Sequence, residues 1–109
     1  LCYEKGFQMC THCIGDSANR TMLNIYANIL GGKNNRRWRI EHCQVINGND
    51  FHFFGDYSIV PSIQPCFATS DMYWAEERLG KDRIKTGGRQ NHNAVIALNH
   101  AEMVSKRCV

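Results

Sequence analysis

The segment Phe7-Gln8-Met9-Cys10-Thr11-His12 is a short apolar run that ends in a histidine, and Trp38-Arg39-Ile40-Glu41-His42 repeats this layout 30 residues further along. Each run has the length and composition of a β-strand. Because the spacing is about that of one βαβ unit, we predict two parallel strands joined by a helix. The carboxyl ends of parallel strands lie at one edge of a sheet, so both imidazoles are expected to face one site.

A helical pattern fills the interval between these two runs. Gly15-Asp16-Ser17 predicts a turn and an N-cap, and Gly31-Gly32 predicts the end of the helix. Between these signals, four apolar residues recur at helical spacing: Ala18, Met22, Ile25 and Ile29. The helix therefore has clear start and stop signals, as a βαβ unit requires.

A third strand is predicted from Ile59 to Gln64, after a turn and cap at residues 47–50 and a short apolar helix from Phe51 to Phe54. Pro61 has no N–H to donate to a ladder, so this strand must place it at an end, an edge or a bulge. The order strand, helix, strand, helix, strand predicts the α/β class, with a parallel sheet and helices packed outside it.

The end of the chain has a different character. Ser70 or Asp71 can cap a helix that runs through Trp74 to Leu79 and stops at Gly80. From Thr86 onward the sequence is polar and rich in turn residues before a helical pattern returns near the C-terminus. Leu1 to Lys5 are typical of a helix tail, which indicates that the chain begins inside a larger element.

Composition excludes several classes of protein. The 109 residues, 43% of them hydrophobic, suffice for one small globular domain. The formal charge of +3 is scattered, with only Arg36, Arg37 and Arg39 clustered, so we predict no nucleic-acid partner. No apolar run approaches the roughly 20 residues needed to cross a bilayer, and no signal-peptide layout is visible, so no membrane role is expected.

The six cysteines are many for a chain of this size. In a secreted mini-protein they would suggest a disulfide framework. Four of them, Cys10, Cys13, Cys43 and Cys66, lie within or beside strand-like segments, and small thiols packed in a reduced interior explain that placement better. A cytoplasmic location is therefore favoured.

Three motifs together resemble the amidohydrolase superfamily: Thr11 to Asp16 (THCIGD), Arg39 to Gln44 (RIEHCQ) and Ser62 to Pro65 (SIQP). The specific resemblance is to the metal-dependent branch related to N-substituted formamide deformylase. It runs from about Gly6 to Lys85 with the motifs in the family's order and spacing. It includes Asp71, Trp74, Arg78-Leu79-Gly80 and Arg83.

This resemblance implies a partial (β/α)8 TIM barrel covering about strands 5 to 7 with their helices. It places His12 at the end of the fifth strand and His42 at the end of the sixth, both as ligands of a divalent metal, zinc being the first choice. The family's first-strand His-x-His pair, its fourth-strand Glu or carboxylated Lys and its eighth-strand Asp fall outside the matching region. Only part of the metal site is therefore expected in this chain.

Two departures from the family pattern limit what can be carried over. Many relatives have a histidine where this chain has Phe67, which removes a polar group expected to contact substrate. Residues 1–85 are interpreted as a fragment of the catalytic barrel. Residues 86–109 do not align, and we interpret them as a frameshifted, misspliced or foreign tail.

The residues themselves leave alternatives open. Spacing alone fits His12 and His42 either as ligands or as hydrogen-bonded core histidines. Asp16 is a helix cap or a partner of a metal ligand, and Gln64 binds substrate or a neighbouring backbone group. Asp71 and Arg78 either cover the pocket, as the resemblance implies, or serve as a helix cap and a solvated helix face.

Other histidines and cysteines carry weaker signals. His52, His92 and His100 have no motif around them and are expected at the surface. Cys10 and Cys13 should point to opposite faces of their strand, because side chains alternate, so the Cys-x-x-Cys spacing makes a poor chelate. Glu41 and Arg39 should share a face and form a charge pair.

Two functional hypotheses follow. In the first, the complete protein is a metal-dependent hydrolase acting on an amide or related C–N bond of a small molecule, and the 109-residue chain alone is inactive. In the second, the chain is a non-catalytic amidohydrolase remnant or a binding module. Three strands cannot close a barrel, so exposed apolar faces would favour aggregation or homo-oligomers.

Overall fold

Three short parallel strands form the centre of the fold in a computed structural model that describes residues 1–64, 66, 70, 71 and 73–81. They are β1 (Cys10–Cys13), β2 (Arg39–His42) and β3 (Val60–Ile63), adjacent in that order. Thr11 lies opposite Ile40, and Ile40 lies opposite Pro61. The predicted α/β class and parallel pairing are confirmed, with strands shorter than the apolar runs that predicted them.

Helix α1 (Asp16–Leu30) connects β1 to β2. Its C-terminus is the predicted one, since Gly31 adopts the left-handed conformation (φ 69°) and donates its N–H to Ala27 O at 2.9 Å. The N-terminus of α1, in contrast, is not the predicted one. Gly15 is the N-cap, and Asp16 is the first helical residue, so the expectation that Asp16 or Ser17 caps the helix at Ala18 was wrong. The carboxylate of Asp16 accepts the Ser17 N–H instead.

The buried face of α1 is not the one marked by Ala18, Met22, Ile25 and Ile29. Leu23, Tyr26 and Leu30 are buried, whereas Ile25 and Ile29 are 43% and 45% exposed. The helix thus carries two apolar stripes. The stripe containing Tyr26 faces the sheet. There the Tyr26 hydroxyl contacts Thr11 Oγ1 at 2.7 Å and donates to Arg39 O at 3.3 Å. These bonds satisfy a polar group that burial would otherwise leave unpaired.

The core lies between α1 and one face of the sheet. Its largest fully buried side chains are Trp38, Tyr26, Leu23 and Ile40. The Trp38 ring packs edge-on against Tyr26 with 5.0 Å between centroids, and its Nε1 donates to Phe7 O at 3.0 Å. Trp38 therefore closes the amino edge of the sheet, where β2 begins.

A side-chain amide joins two loops at this amino edge. Asn34 Nδ2 donates to Gly32 O and to Tyr57 O, each at 2.8 Å, and Asn34 Oδ1 accepts the Arg36 N–H. Gly32 lies in the loop before β2, and Tyr57 lies in the loop before β3. The Asn34 side chain therefore fixes the entrances of two neighbouring strands.

The segment between β2 and β3 contains a 3-10 helix (Gly48–Asp50) followed by α2 (His52–Asp56). Asn47 Oδ1 accepts the Asn49 N–H at 3.0 Å and caps the 3-10 helix. The cap was predicted for the apolar helix that follows, but α2 has Phe51 as its N-cap and no side-chain cap, so that part of the prediction was wrong. Asp50 is buried and pairs with Arg20 of α1 through three hydrogen bonds of 3.0–3.2 Å. This pairing holds the segment against α1 and raises the pKa of Arg20.

Pro61 lies in β3, which is an edge strand of the described sheet, as the sequence predicts. Val60 donates its N–H to Trp38 O at 2.9 Å, toward β2. Successive residues of a parallel strand direct their backbone groups to opposite sides, so the nitrogen of Pro61 faces away from β2. The proline therefore costs the three-stranded ladder no hydrogen bond.

The chain divides into two units, residues 1–64 and 65–109. In the described part of the second unit, residues 75–81 are helical, and Asp71 O accepts the N–H groups of Trp74 and Ala75. A helix is present near the predicted one, but it begins after Trp74 and includes Gly80, so the predicted stop at Gly80 was wrong. Residues 82–109 lie outside the described residues, as do Pro65 and Phe67. The predicted tail and the predicted surface positions of His92 and His100 therefore stay predictions.

The cysteines depart from the expectation of a common apolar interior. Cys13 and Cys43 are buried, but Cys10 and Cys66 are exposed, so the expectation was wrong for those two. Cys10 lies on the sheet face that α1 does not cover. Among the helices that the structure describes, none is long and apolar enough to span a membrane.

Candidate metal centre

His12 lies on the open face of the sheet near the carboxyl end of β1. Along this strand Cys10 and His12 are exposed, Thr11 is half-buried and Cys13 is buried. The alternation predicted from the sequence is confirmed, and it separates the two thiols of the Cys-x-x-Cys spacing. Burial raises the pKa of Cys13, which favours the neutral thiol.

His42 reaches the same place by a different route. In the ladder it lies opposite Cys13, a register that directs its side chain toward the core. However, His42 and Cys43 both adopt the left-handed conformation, with φ values of 73° and 46°. The resulting turn brings the His42 ring to 4.7 Å from the His12 ring, centroid to centroid, with 76° between their planes. The two imidazoles meet because the strand ends at His42.

This backbone conformation has a cost. Left-handed φ values are uncommon outside glycine, although histidine adopts them more readily than most residues, and each costs on the order of 1–3 kcal/mol. Such residues cluster at functional sites. The turn at His42 and Cys43 therefore persists only because surrounding contacts hold it.

Gln64 follows β3 and contacts His42. Its Oε1 lies 2.5 Å from His42 Nδ1. An amide oxygen only accepts, so in this contact the N–H of His42 Nδ1 donates to Gln64 Oε1, which in a neutral ring leaves the lone pair on Nε2. Metal-binding histidines usually have their second nitrogen held in this way. The two contacts weighed from the sequence, substrate and backbone, did not include this one.

The charged groups beside the histidines are paired. Arg39 and Glu41 form the intrastrand ion pair that the sequence predicts. A hydrogen bond from Ser62 and the bond with Arg39 hold the pKa of Glu41 below its ordinary value against the opposing effect of burial. Glu41 thus has a structural partner on each side. Burial raises the pKa of the neighbouring Cys43 thiol to about 12, so this sulfur is not a thiolate near neutral pH.

The two histidines fit part of a metal site. Neutral imidazoles suit zinc-like cations, and both rings lie at the carboxyl edge of parallel strands. Within residues 1–64, 66, 70, 71 and 73–81, no group of three or more His, Cys, Asp or Glu side chains is arranged to hold a metal ion. A complete ligand set therefore needs donors beyond those described here.

The remaining candidate residues are placed as follows. Asp16, half-buried in the first turn of α1, lines a small cleft with Ser17, Arg20 and Asn47. Asp71 and Arg78 lie in the second unit, so their predicted role above the pocket stays a prediction. His52 is exposed on α2, and its Nδ1 contacts Asn49 O.

Sequence reasoning missed a buried asparagine beside the site. Asn19 is fully buried, and its Nδ2 faces backbone oxygens of both segments that follow the histidines. One signal could have revealed it, since a polar amide in the first turn of an otherwise apolar helix stripe needs buried partners.

Comparison with known proteins gives a consistent result. The model of the Amidohydrolase family, Amidohydro_3, matches residues 1–101. The chain is 34% identical over 102 residues to Protein LONG AFTER FAR-RED 3 of Arabidopsis thaliana, covering 87% of this chain and 18% of that protein. It is 39% identical over 83 residues to "Putative amidohydrolase YtcJ" of Bacillus subtilis (strain 168), covering 76% of this chain and 16% of that protein.

Solved structures agree. Crystal structures of uncharacterized metal-dependent hydrolases from Pyrococcus furiosus and Pyrococcus horikoshii OT3 both match with a TM-score of 0.65. Their identities are 27% and 29%, and the matches cover 75% and 79% of this chain. The chain spans less than one fifth of the length of each of these relatives.

Proposed function

The chain belongs to the amidohydrolase family, and from this premise we propose that it forms part of a metal-dependent hydrolase that cleaves an amide or related C–N bond of a small molecule. The observation that carries the proposal is the meeting of the His12 and His42 rings at the carboxyl edge of parallel strands. In the proposal both histidines are ligands of one divalent cation, with zinc the first choice. A cation held there supplies Lewis-acid chemistry, polarising a carbonyl group and activating water.

The chain's own residues have separate tasks in this proposal. His12 and His42 present imidazole nitrogens to the cation. Gln64 Oε1 accepts a hydrogen bond from His42 Nδ1, which leaves Nε2 as the nitrogen that would bind the cation. The Arg39–Glu41 pair keeps two charges of the open sheet face compensated, so neither stands alone beside the histidines.

The finer assignments are part of the same proposal. The three strands would be strands 5 to 7 of a (β/α)8 barrel, as the parallel order and the metal-dependent hydrolase relatives suggest. We place the chain in the branch related to N-substituted formamide deformylase, in the cytoplasm, without a nucleic-acid or membrane partner. An eighth-strand Asp would be the proton shuttle, and without it the 109-residue chain should show no amidase activity above a metal-free control.

Zinc binding tests the role of the histidines. In the protein that contains this chain, His42→Asn removes the imidazole but keeps a residue that tolerates the left-handed backbone. We expect the affinity for Zn²⁺, measured by calorimetry, to fall by at least about 100-fold, since loss of a ligand should exceed the 10–100-fold cost typical of a ligand's partner.

The matched control is His52→Asn, a histidine of α2 that should leave the Zn²⁺ affinity unchanged. An affinity within about twofold of the wild type in His42→Asn would contradict the proposal. Activity is then tested with an N-substituted formamide, whose metal-dependent hydrolysis should vanish in the same variant.

Sequencing the locus on both sides tests the barrel assignment. The proposal expects an upstream His-x-His and a downstream Ser-Asp strand end, in frame or after a single shift following the Lys85 codon. If neither is encoded, the hydrolase assignment describes the ancestry of this chain and not its activity.

A further inference from the structure

Asn19 joins the two segments that leave the candidate ligand strands. These segments are residues 13–15, which begin at the last residue of β1, and residues 43–45, which follow β2, and we call them the two site loops. Asn19 Nδ2 lies 3.0 Å from Gly15 O, 3.2 Å from Ile14 O and 3.5 Å from Cys13 O in the first loop. It also lies 3.0 Å from Val45 O in the second.

The bond to Val45 O is the one for which the described residues show no second donor. The three acceptors in the first site loop also receive backbone donors: Asn19 N–H on Gly15 O, Val45 N–H on Ile14 O and Cys43 N–H on Cys13 O. For Val45 O, the donor that the structure shows is Asn19 Nδ2. The amide therefore adds little to the first loop by itself, and its distinct effect is to tie the second loop to α1.

The amide is kept at an energetic cost. Asn19 is fully buried, and its Oδ1 has no hydrogen-bond partner among the residues that the structure describes. An unsatisfied buried acceptor destabilises the folded state. A nonpolar side chain at position 19 would avoid the loss of stability caused by the unpaired Oδ1. The asparagine is therefore explained if its hydrogen bonds to the two loops are needed.

The position of the second loop decides where the His42 ring lies. His42 reaches His12 only through the left-handed turn at His42 and Cys43, and Val45 follows that turn by two residues. A strained turn persists only where its surroundings hold it. The bond from Asn19 to Val45 O fixes the far side of the turn to the helix that starts directly after the first site loop.

We infer that Asn19 is a positioning residue: by tying the second site loop to the first turn of α1, it maintains the separation of the His12 and His42 rings together with the two backbone bonds between the loops. Its consequence for metal affinity rests on the proposed function. Its effect on the rings themselves does not.

The experiment compares two asparagines of this protein. Asn19→Asp keeps the shape of the side chain but removes both amide donors. Asn34→Asp makes the same change in the bridge at the amino edge of the sheet, where Asn34 joins Gly32 to Tyr57. Both variants are checked for folding by their ¹H–¹⁵N spectra.

The first readout needs no metal. In the metal-free wild type, ring protons of His12 and His42 should show a nuclear Overhauser effect (NOE). We expect its intensity to fall at least about threefold in Asn19→Asp and to persist in Asn34→Asp. A folded Asn19→Asp with undiminished intensity would overturn the inference, as would a wild type that lacks the effect.

The second readout separates this inference from the proposed function. Zn²⁺ affinity should fall about 10-fold or more in Asn19→Asp, the usual effect of disturbing the support of a ligand, and stay within about twofold in Asn34→Asp. A wild type that shows the NOE but binds no Zn²⁺ would refute the metal role. The NOE comparison would then still decide the role of Asn19.

Two further measurements cover a variant that does not fold. Asn19→Ala removes the donors without placing a carboxylate against carbonyl oxygens, and the same loss of the NOE is expected. In the wild type, the Asn19 Nδ2 protons should exchange with solvent at least about 100-fold more slowly than those of Asn24, an exposed amide on the same helix. Equal exchange rates would overturn the inference.

Discussion

The two edges of the sheet use the same device for different ends. At the amino edge, Asn34 joins two loops beside Trp38, and apolar packing closes the space. At the carboxyl edge, Asn19 joins two loops beside His12 and His42, and the rings stay open to solvent or half-buried. An amide side chain joins two loops at both edges. Only the carboxyl edge, however, also carries the two candidate metal ligands. This division matches the general separation of stability and chemistry between the two ends of parallel strands.

The largest effect is expected from removing the buried Trp38 side chain at the amino edge. Trp38→Ala removes a side chain that is 2% exposed, together with its contacts to Tyr26 and Phe7. We expect the free energy of unfolding, measured in urea, to fall by about 3–5 kcal/mol. The Zn²⁺ affinity of the fraction that remains folded should not change.

The control for this prediction is Trp74→Ala, which truncates a tryptophan that is 47% exposed. It should cost less than about 1 kcal/mol. If both variants lost the same free energy of unfolding, the comparison of the two edges would fail, because Trp38 would contribute no more to stability than a surface residue does.

An intermediate effect is expected at the carboxyl edge from Gln64→Leu. Loss of the acceptor on His42 Nδ1 frees the ring to rotate, so Zn²⁺ affinity measured by calorimetry should fall about tenfold. Stability should change by less than about 1 kcal/mol, because the bond is only partly buried.

Two matched variants sharpen this prediction. Gln64→Glu keeps an acceptor and should retain the affinity. Gln8→Leu removes a glutamine at the amino edge, where Gln8 Nε2 donates to Arg37 O, and should leave metal binding unchanged. If Gln8→Leu weakened Zn²⁺ binding as much as Gln64→Leu does, the two edges would not be functionally separate.

The smallest effect concerns backbone strain at the amino edge. Arg37 is exposed and left-handed, with φ 56°. Arg37→Gly should raise the free energy of unfolding by roughly 0.5–1 kcal/mol, because glycine adopts this conformation without steric cost. Lys33→Gly, in the same loop but without a positive φ, should lower it by a similar amount. A loss of stability in Arg37→Gly would show that the arginine side chain contributes more than the strain costs.

Local patterns predicted most of the fold. The strands, the end of α1 at Gly31 and the cap at Asn47 follow from residue periodicity and from residues with special backbone freedom. The start of α1 and its buried face did not, because both depend on what the helix packs against. Tyr26 turns its stripe inward through bonds to β1 and β2, and no pattern within the helix contains that information.

The candidate site was predicted in part. Strand topology suffices to bring His12 and His42 to one edge, and the structure places their rings in contact. The left-handed turn that aims His42, the contact from Gln64 and the bridge from Asn19 all depend on residues distant in sequence. The roles of Asp71 and Arg78 stay predictions, because both residues belong to the second unit.

Pro61 affects how the outer edge of β3 can pair with strands of other molecules. Its nitrogen faces the outer side of β3, so that border has a gap in its row of donors midway along the strand. A further strand that pairs with this side of β3, from the same chain or from another protein, can accept hydrogen bonds on either side of Pro61 but not at Pro61 itself. The proline therefore makes continuous pairing along this side of β3 less favourable, which disfavours fibril-like stacking of identical copies.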